Sequence, residues 1–447
     1  MLVLAAPIPV FLVISGAHVV SSTAVVTSMI MVWAIGHHLP GMMRAYGDPG
    51  LFQRFKIRFL VAPVMLIGVC FWSIRQGLSG VHVIIGIWGW WHYLMQTYGF
   101  VRIYDAKVGS FAATTRWLDW AMCFVWFAAA IVLSDNTAYG FLQRFYNSGF
   151  PIPSAGFMNS LRAGMIVAAS TVTLLFVANF VNLWLNGKPP GLIKIVLMGT
   201  TFAYFWYSTS TVTNIAVAYA FFELFHDVQY LTIVWAFNRN RVEKDPNLGG
   251  FTRFLFRPRF ILIATYVVLV CGYGLLNLRS EQINDGTARD FLVGCFLAST
   301  LLHYYFDGFI WKVREKDTQK IFEITAVESS GLNMFDLPGW LRHAAVWLLF
   351  VVPITYMTHT QGSFQLDPTE DAARILQDIE FMHECVPRSL SATFYRGLAL
   401  ERSGKIDEAA VYYREAQKIA PHHTPSRDRL FAIYNQRDFR LSNDGQR

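Results

Sequence analysis

Histidine and carboxylate side chains recur at four places inside long apolar stretches of this chain. They stand in Gly36-His37-His38, Trp91-His92-Tyr93, Glu223-Leu224-Phe225-His226 and His303-Tyr304-Tyr305-Phe306-Asp307. Ionisable groups at membrane depth are costly, and they usually mark a functional site. Neutral imidazole is the commonest metal ligand. Imidazoles joined by one or two carboxylates, with no thiolate, suit iron, and zinc and copper accept the same donors. The candidate metal ligands are therefore His37, His38, His92, Glu223, His226 and His303.

Spacing sharpens each candidate. Glu223 and His226 have the Glu-x-x-His separation by which one helix offers two ligands, as in di-iron carboxylate bundles. Tyr230 lies on the same helical face. Asp307 follows His303 by one turn, where a carboxylate can accept from the second imidazole nitrogen and orient the ring. Tyr230 and Asp307 are the candidate catalytic residues. Pro40 and Gly41 are expected to break the helix just past the His37-His38 pair, leaving one ring inward and the other sideways. Trp88, Trp90 and Trp91 beside His92 would wall an apolar channel. Plainer roles stay open for each group: interfacial polar residues, hydrogen-bonded core histidines, a helix-stabilising His303–Asp307 pair. His18, His82, His343, His359, His383, His422 and His423 read as surface or interface residues.

The elements that must position these groups are membrane helices. Of 447 residues, 54% are hydrophobic and 15% charged, against about a quarter charged in soluble proteins. Apolar segments fall near 2–16, 19–38, 58–74, 80–104, 117–134, 162–186, 191–209, 212–237, 259–279, 289–311 and 342–359. The expected fold is an all-α polytopic bundle of about 10–11 spans over residues 1–360. The first segment reads as a helix, since no basic stretch precedes it as in a cleavable leader. Five scattered cysteines without metal-ligand spacing suggest no disulfide framework. The net charge of +7 comes from loops, which fits topology better than a nucleic-acid surface.

Alternate loops carry most of that charge: Arg44, Arg54, Lys56 and Arg58; Arg102, Lys107 and Arg116; Lys188 and Lys194; Arg239 to Arg259; and Lys312 to Lys320. These are expected to be cytoplasmic. That topology brings the four histidine segments to within one or two turns of a common depth. The expected location is a bacterial inner (plasma) membrane, with the C-terminal tail outside the cytoplasm.

The tail, 365–447, changes composition sharply. Gly397, Gly404, Ala409, Tyr413, Ala416 and Pro421 resemble the small-residue and proline pattern of a tetratricopeptide repeat. So short a repeat array is expected to lean on the membrane domain or on a protein partner.

The four segments together resemble the microbial membrane-bound β-carotene dioxygenase (Brp/Blh) family. His303-Tyr-Tyr-Phe-Asp307-Gly-Phe-Ile-Trp-Lys312 is similar to that family's His-x-x-x-Asp segment. Phe221 to His226, followed by Trp235, is similar to its aromatic histidine segment, while Trp91-His92-Tyr93 and Gly36 to Gly41 are looser counterparts. Tyr230 stands where the family has a further histidine, and Leu39-Pro40 departs from its first segment. The resemblance implies a non-haem iron (Fe2+) oxygenase that uses O2 on a lipophilic substrate, such as a carotenoid or other isoprenoid, drawn from the membrane lipids. Two other classes remain. One is a di-iron lipid desaturase or hydroxylase, whose HxxH or HxxxH boxes have no counterpart in the membrane part of this chain. The other is a transporter or scaffold whose polar residues line a proton or ion pathway.

Overall fold

The computed structural model describes residues 23–213, 215–245, 248–257, 259–311, 339–363 and 372–444. Among them all regular structure is α-helix. In chain order the helices are α1 (Thr23–Gly36), α2 (His38–Gly47), α3 (Pro49–Arg75), α4 (Gly80–Lys107), α5 (Ala113–Val132) and α6 (Asp135–Asn147). Next come α7 (Ala155–Leu185), α8 (Leu192–Ser210), α9 (Ile215–Lys244), α10 (Gly250–Leu255), α11 (Phe260–Ser280), α12 (Gly286–Ile310) and α13 (Gly339–Ser363). The tail holds α14 (Ala372–Cys385), α15 (Leu390–Arg402), α16 (Ile406–Ile419) and α17 (Thr424–Asp444).

Local chemistry starts several of these helices. Asp48, Ser134, Ser154, Asp285 and Ser389 each accept a backbone N–H from the first turn of α3, α6, α7, α12 and α15, satisfying one of its orphan donors. α6 fills a connection that the hydropathy pattern leaves blank; its signal is the Ser134 cap.

Among the described residues, α3, α5, α7 and α11 are long and apolar enough to cross a membrane. The other expected spans from 19–38 to 342–359 fall on α1, which has 14 residues, and on α4, α8, α9, α12 and α13; 2–16 lies outside the described residues, as do Lys312 to Lys320. Polar side chains interrupt the apolar runs of α4, α9 and α12: His92 and Gln96, then Glu223, His226 and Asp227, then His303 and Asp307. α7 is the opposite case: it lies against α5, and its most apolar stretch has no buried residue.

Apolar side chains gain little by leaving lipid for one another, so close fit and polar contacts must hold such helices. Close fit is clearest where α1 crosses α11. A Cβ on Gly274 would overlap the Val32 carbonyl, and one on Gly36 would overlap the Val270 carbonyl. This crossing fixes the end of α1 immediately before His37. Gly294 makes a similar approach to the Phe71 backbone, at 3.0 Å for an added Cβ. Two aromatic cores result. One gathers Phe127, Phe202, Phe205, Phe222 and Phe225; the other gathers Phe59, Tyr305, Phe306 and Phe309. The histidine-bearing helices run between them.

Polar contact is clearest at Lys194. Its ammonium lies 2.8 Å from Asp105 Oδ2 and 2.8 Å from Asp119 Oδ1, and Arg102 reaches the same carboxylates at 2.8 and 3.0 Å. Lys194, Asp105 and Asp119 are buried. Arg102 and Lys194 are thus not the solvated loop charges expected from sequence; two carboxylates balance them and tie α4, α5 and α8 together. Breaking a buried group of this kind leaves an uncompensated charge.

In the tail, α15 and α16 form a helical hairpin turned at Gly404, whose φ of +78° suits glycine. Gly397 leaves room for the Tyr413 ring, which an added Cβ would meet at 2.8 Å. The tail rests on α6 and the start of α7. Tyr146 donates to Asp378 at 2.6 Å, and Asp135 and Asn136 accept from the Arg388 and Leu390 amides at 2.7 and 2.9 Å. Tyr139, Leu142 and Met158 share an apolar core with Met382, Val386 and Ala392.

Two outcomes follow from this packing. Gly274→Ala should push α1 from α11 and destabilise the protein by about 1–3 kcal/mol; an unchanged thermal midpoint in detergent contradicts the close crossing. In the tail, Arg396 donates to His383 Nδ1 at 3.1 Å, which requires a neutral ring. Burial, and then the Arg396 charge, hold the His383 pKa down to about 4 from 6.5. The folded value lies below the unfolded one, so this contribution is complete above pH 6.5 and is lost as pH falls toward about 4. The unfolding midpoint should fall across that window, and His383→Gln should flatten the fall; identical profiles contradict it.

Candidate metal centre

The first two ligand candidates sit at a break between helices. α1 ends at Gly36, His37 occupies the N-cap of α2, and His38 is the first residue of α2. The break therefore falls at His37, within the pair, where sequence had placed it after. Pro40 falls in the first turn of α2, where its missing N–H has no helical partner to lose. Both imidazoles point inward as a result, where one was expected to turn aside: His37 and His38 are each 2% exposed.

His92 from α4, His226 from α9 and His303 from α12 join them, and all three are buried. Ring centroids lie 4.6 Å apart for His37–His38, 4.5 Å for His37–His303, 5.1 Å for His37–His226, 4.6 Å for His92–His303 and 5.0 Å for His92–His226. Five imidazoles from four separate segments thus share one small volume. Their donor atoms, with Asp227, form three groups within which every pair lies within 4.8 Å: His37, His38 and His303; His92, His226 and His303; His37, His226 and Asp227.

Neighbouring groups orient the rings. Asp227 Oδ1 stands 2.7 Å from His37 Nδ1. A proton held there leaves His37 Nε2 as a lone-pair donor toward the cluster, where it lies 3.0 Å from His303 Nε2. Ser299 Oγ lies 3.2 Å from His38 Nδ1 and accepts from Tyr273 at 2.8 Å. That contact occupies His38 Nδ1 and leaves Nε2 as its other nitrogen. The Nε2 atoms of His92 and His226 are buried with no hydrogen-bond partner. A buried unsatisfied nitrogen costs about 1–3 kcal/mol, and a metal ion is the partner such neutral nitrogens fit. The donor set, imidazole and carboxylate without thiolate, suits iron, zinc or copper.

The remaining candidates take other places. Glu223 accepts from the Tyr93 hydroxyl, which also lies 3.1 Å from the Tyr219 hydroxyl. Glu223 stands outside the three donor groups, and its neighbour in sequence, Asp227, stands inside one. Asp307 is 3.7 Å from His303 Nδ1, beyond hydrogen-bond length. It accepts instead from Tyr230 at 3.1 Å and from Trp311 at 3.0 Å. Tyr230 is therefore bonded to Asp307 beside the cluster, its ring 5.0 Å from that of His303. His343 is bound by Tyr305 and Trp347 away from the cluster, and His18 lies outside the described residues.

Three contributors were missed from sequence: Asp227, Ser299 and Gly41. Asp227 had a signal, being a carboxylate next to a membrane-depth histidine. Ser299 precedes His303 by one turn, a weaker sign. Gly41 gives none locally, yet an added Cβ there would lie 2.9 Å from the Tyr230 hydroxyl and 3.7 Å from His303 Nδ1. Comparison of the chain with protein-family models, characterised proteins and solved structures finds no match.

Asp227→Asn should weaken metal affinity by about 10–100-fold, since the amide no longer fixes the His37 tautomer. Equilibrium titration of chelator-stripped protein with Co2+ measures this, and unchanged affinity contradicts the orienting role.

Proposed function

We propose that this is an integral-membrane, metal-dependent oxygenase with non-haem iron, acting with O2 on an apolar lipid or isoprenoid, a carotenoid being the first candidate. The observation that carries the reading is the convergence of five buried imidazoles, two with unpartnered Nε2 atoms, inside a bundle whose outer helices are apolar. The resemblance of the four histidine segments to the Brp/Blh family supports the same class. The tail's seat on 134–158 agrees with the expected alternation, which puts both outside the cytoplasm of a bacterial inner membrane. Its hairpin, with Gly397 against Tyr413, suits a tetratricopeptide-like unit that could also receive a protein partner.

His37, His38, His92, His226 and His303 would hold the metal. Iron held there with open positions supplies O2 binding and activation. The chain's own contribution is placement and exclusion. Asp227 and Ser299 fix which nitrogen of His37 and His38 faces the site. Tyr93, Tyr230 and Tyr304 stand beside the imidazoles, with ring centroids 4.6 Å from His226, 5.0 Å from His303 and 4.8 Å from His92. These rings exclude water and offer a flat apolar wall to an extended substrate. Asp307, held by Tyr230 and Trp311, keeps a carboxylate close to His303 without binding it.

One observation favours a second reading, a proton or ion pathway. The polar groups continue beyond the cluster in both directions along α9, through Tyr219 and Glu223 on one side and Tyr230 with Asp307 on the other. Metal analysis separates the two. Detergent-purified wild type should carry metal that the His226→Ala/His303→Ala double variant loses, and wild type should consume O2 when given β-carotene. A metal-free wild type, or full metal in the folded double variant, overturns the oxygenase reading and leaves the pathway.

A further inference from the structure

The donor atoms of the centre are not arranged around one point. A single ion bound to imidazole nitrogens at about 2.1 Å cannot have two of its donors more than about 4.2 Å apart. Among the described residues the donors gather in threes, even with a limit of 4.8 Å, and no group of four forms. The rings tell the same story. His38 stacks on His303 at 4.8 Å and touches His37 at 4.6 Å. At the other end His92 and His226 touch each other at 5.0 Å. The two ends meet through His303, 4.6 Å from His92, and His37, 5.1 Å from His226.

Each end also has its own reason to hold a cation. At the first end, His37 and His38 have their Nδ1 atoms beside Asp227 and Ser299, leaving Nε2 to face His303. At the second end the Nε2 atoms of His92 and His226 are unpartnered.

We propose that the centre is dinuclear: one ion on His37, His38 and His303, and a second on the unpartnered Nε2 atoms of His92 and His226. This rests on the metal-centre reading above and deepens it. The ligand class is a pair of divalent first-row metal ions, about 3.5–4 Å apart as in other two-metal sites. An imidazole nitrogen binds one ion only, so His303 belongs to the first ion and the second has fewer nitrogen donors. The second ion is consequently the weaker-bound of the two.

The test is metal stoichiometry on the full chain in detergent. Chelator-stripped wild type titrated with Co2+ should bind two equivalents in two resolved steps. His38→Ala and His92→Ala should each keep one equivalent, with His92→Ala losing the weaker step. Binding of one equivalent by wild type overturns the dinuclear proposal and leaves the metal-centre reading standing; binding of none overturns both. A measurement on wild type alone guards against variants that fail to fold. Electron paramagnetic resonance of the fully Co2+-loaded protein should show exchange coupling between neighbouring ions, and an uncoupled signal overturns the proposal.

Discussion

The structure depends on one constraint: nitrogen lone pairs and carboxylates held in an apolar bundle must have partners. Five imidazoles and Asp227 crowd into one buried volume, and the protein satisfies only part of their bonding capacity. Asp227 serves His37, Ser299 serves His38, and the Nε2 atoms of His92 and His226 are left without partners. Hydrogen bonds could have satisfied all of them at less cost, because neutral imidazole needs only one donor and one acceptor. Leaving several donors convergent and open is the arrangement expected of a site assembled for a cation.

The helices around the cluster answer to that constraint. Apolar side chains contribute little to helix association in a bilayer, so backbones must approach closely or polar groups must join. Gly274 and Gly36 provide the first device, seating α1 against α11 just where the chain breaks at His37. The Lys194–Asp105–Asp119–Arg102 group provides the second, joining α4, α5 and α8 away from the metal centre. Aromatic cores on either side then hold the ligand-bearing helices in register. The ligands interrupt α4, α9 and α12 with polar groups, whereas the most apolar stretch of α7 has no buried residue.

Much of this was legible in the amino-acid order. The helices followed from apolar runs, and the four histidine segments stood out because polar groups are rare in such runs. What sequence could not show was direction. The run of apolar residues gave no sign of a break at His37, so one ring was expected to turn away; with the break there, both rings are buried. Glu223 had the better spacing for a ligand, yet it faces Tyr93, and Asp227, one position after His226, faces His37. A rotation of about 100° per residue separates these outcomes, and helix orientation is decided by packing partners far away in sequence. Arg102 and Lys194 looked like loop charges because Asp119, and for Lys194 also Asp105, comes from a different helix.

The central claim is that imidazoles from four separate segments bind metal at one place. X-ray absorption spectroscopy on the metal-loaded protein in detergent tests it most directly. The account predicts a first shell of nitrogen and oxygen at about 2.0–2.2 Å, with the outer-shell scattering of several imidazoles, diminished in His226→Ala. A shell without imidazole scattering, or a spectrum unchanged by His226→Ala, would contradict it.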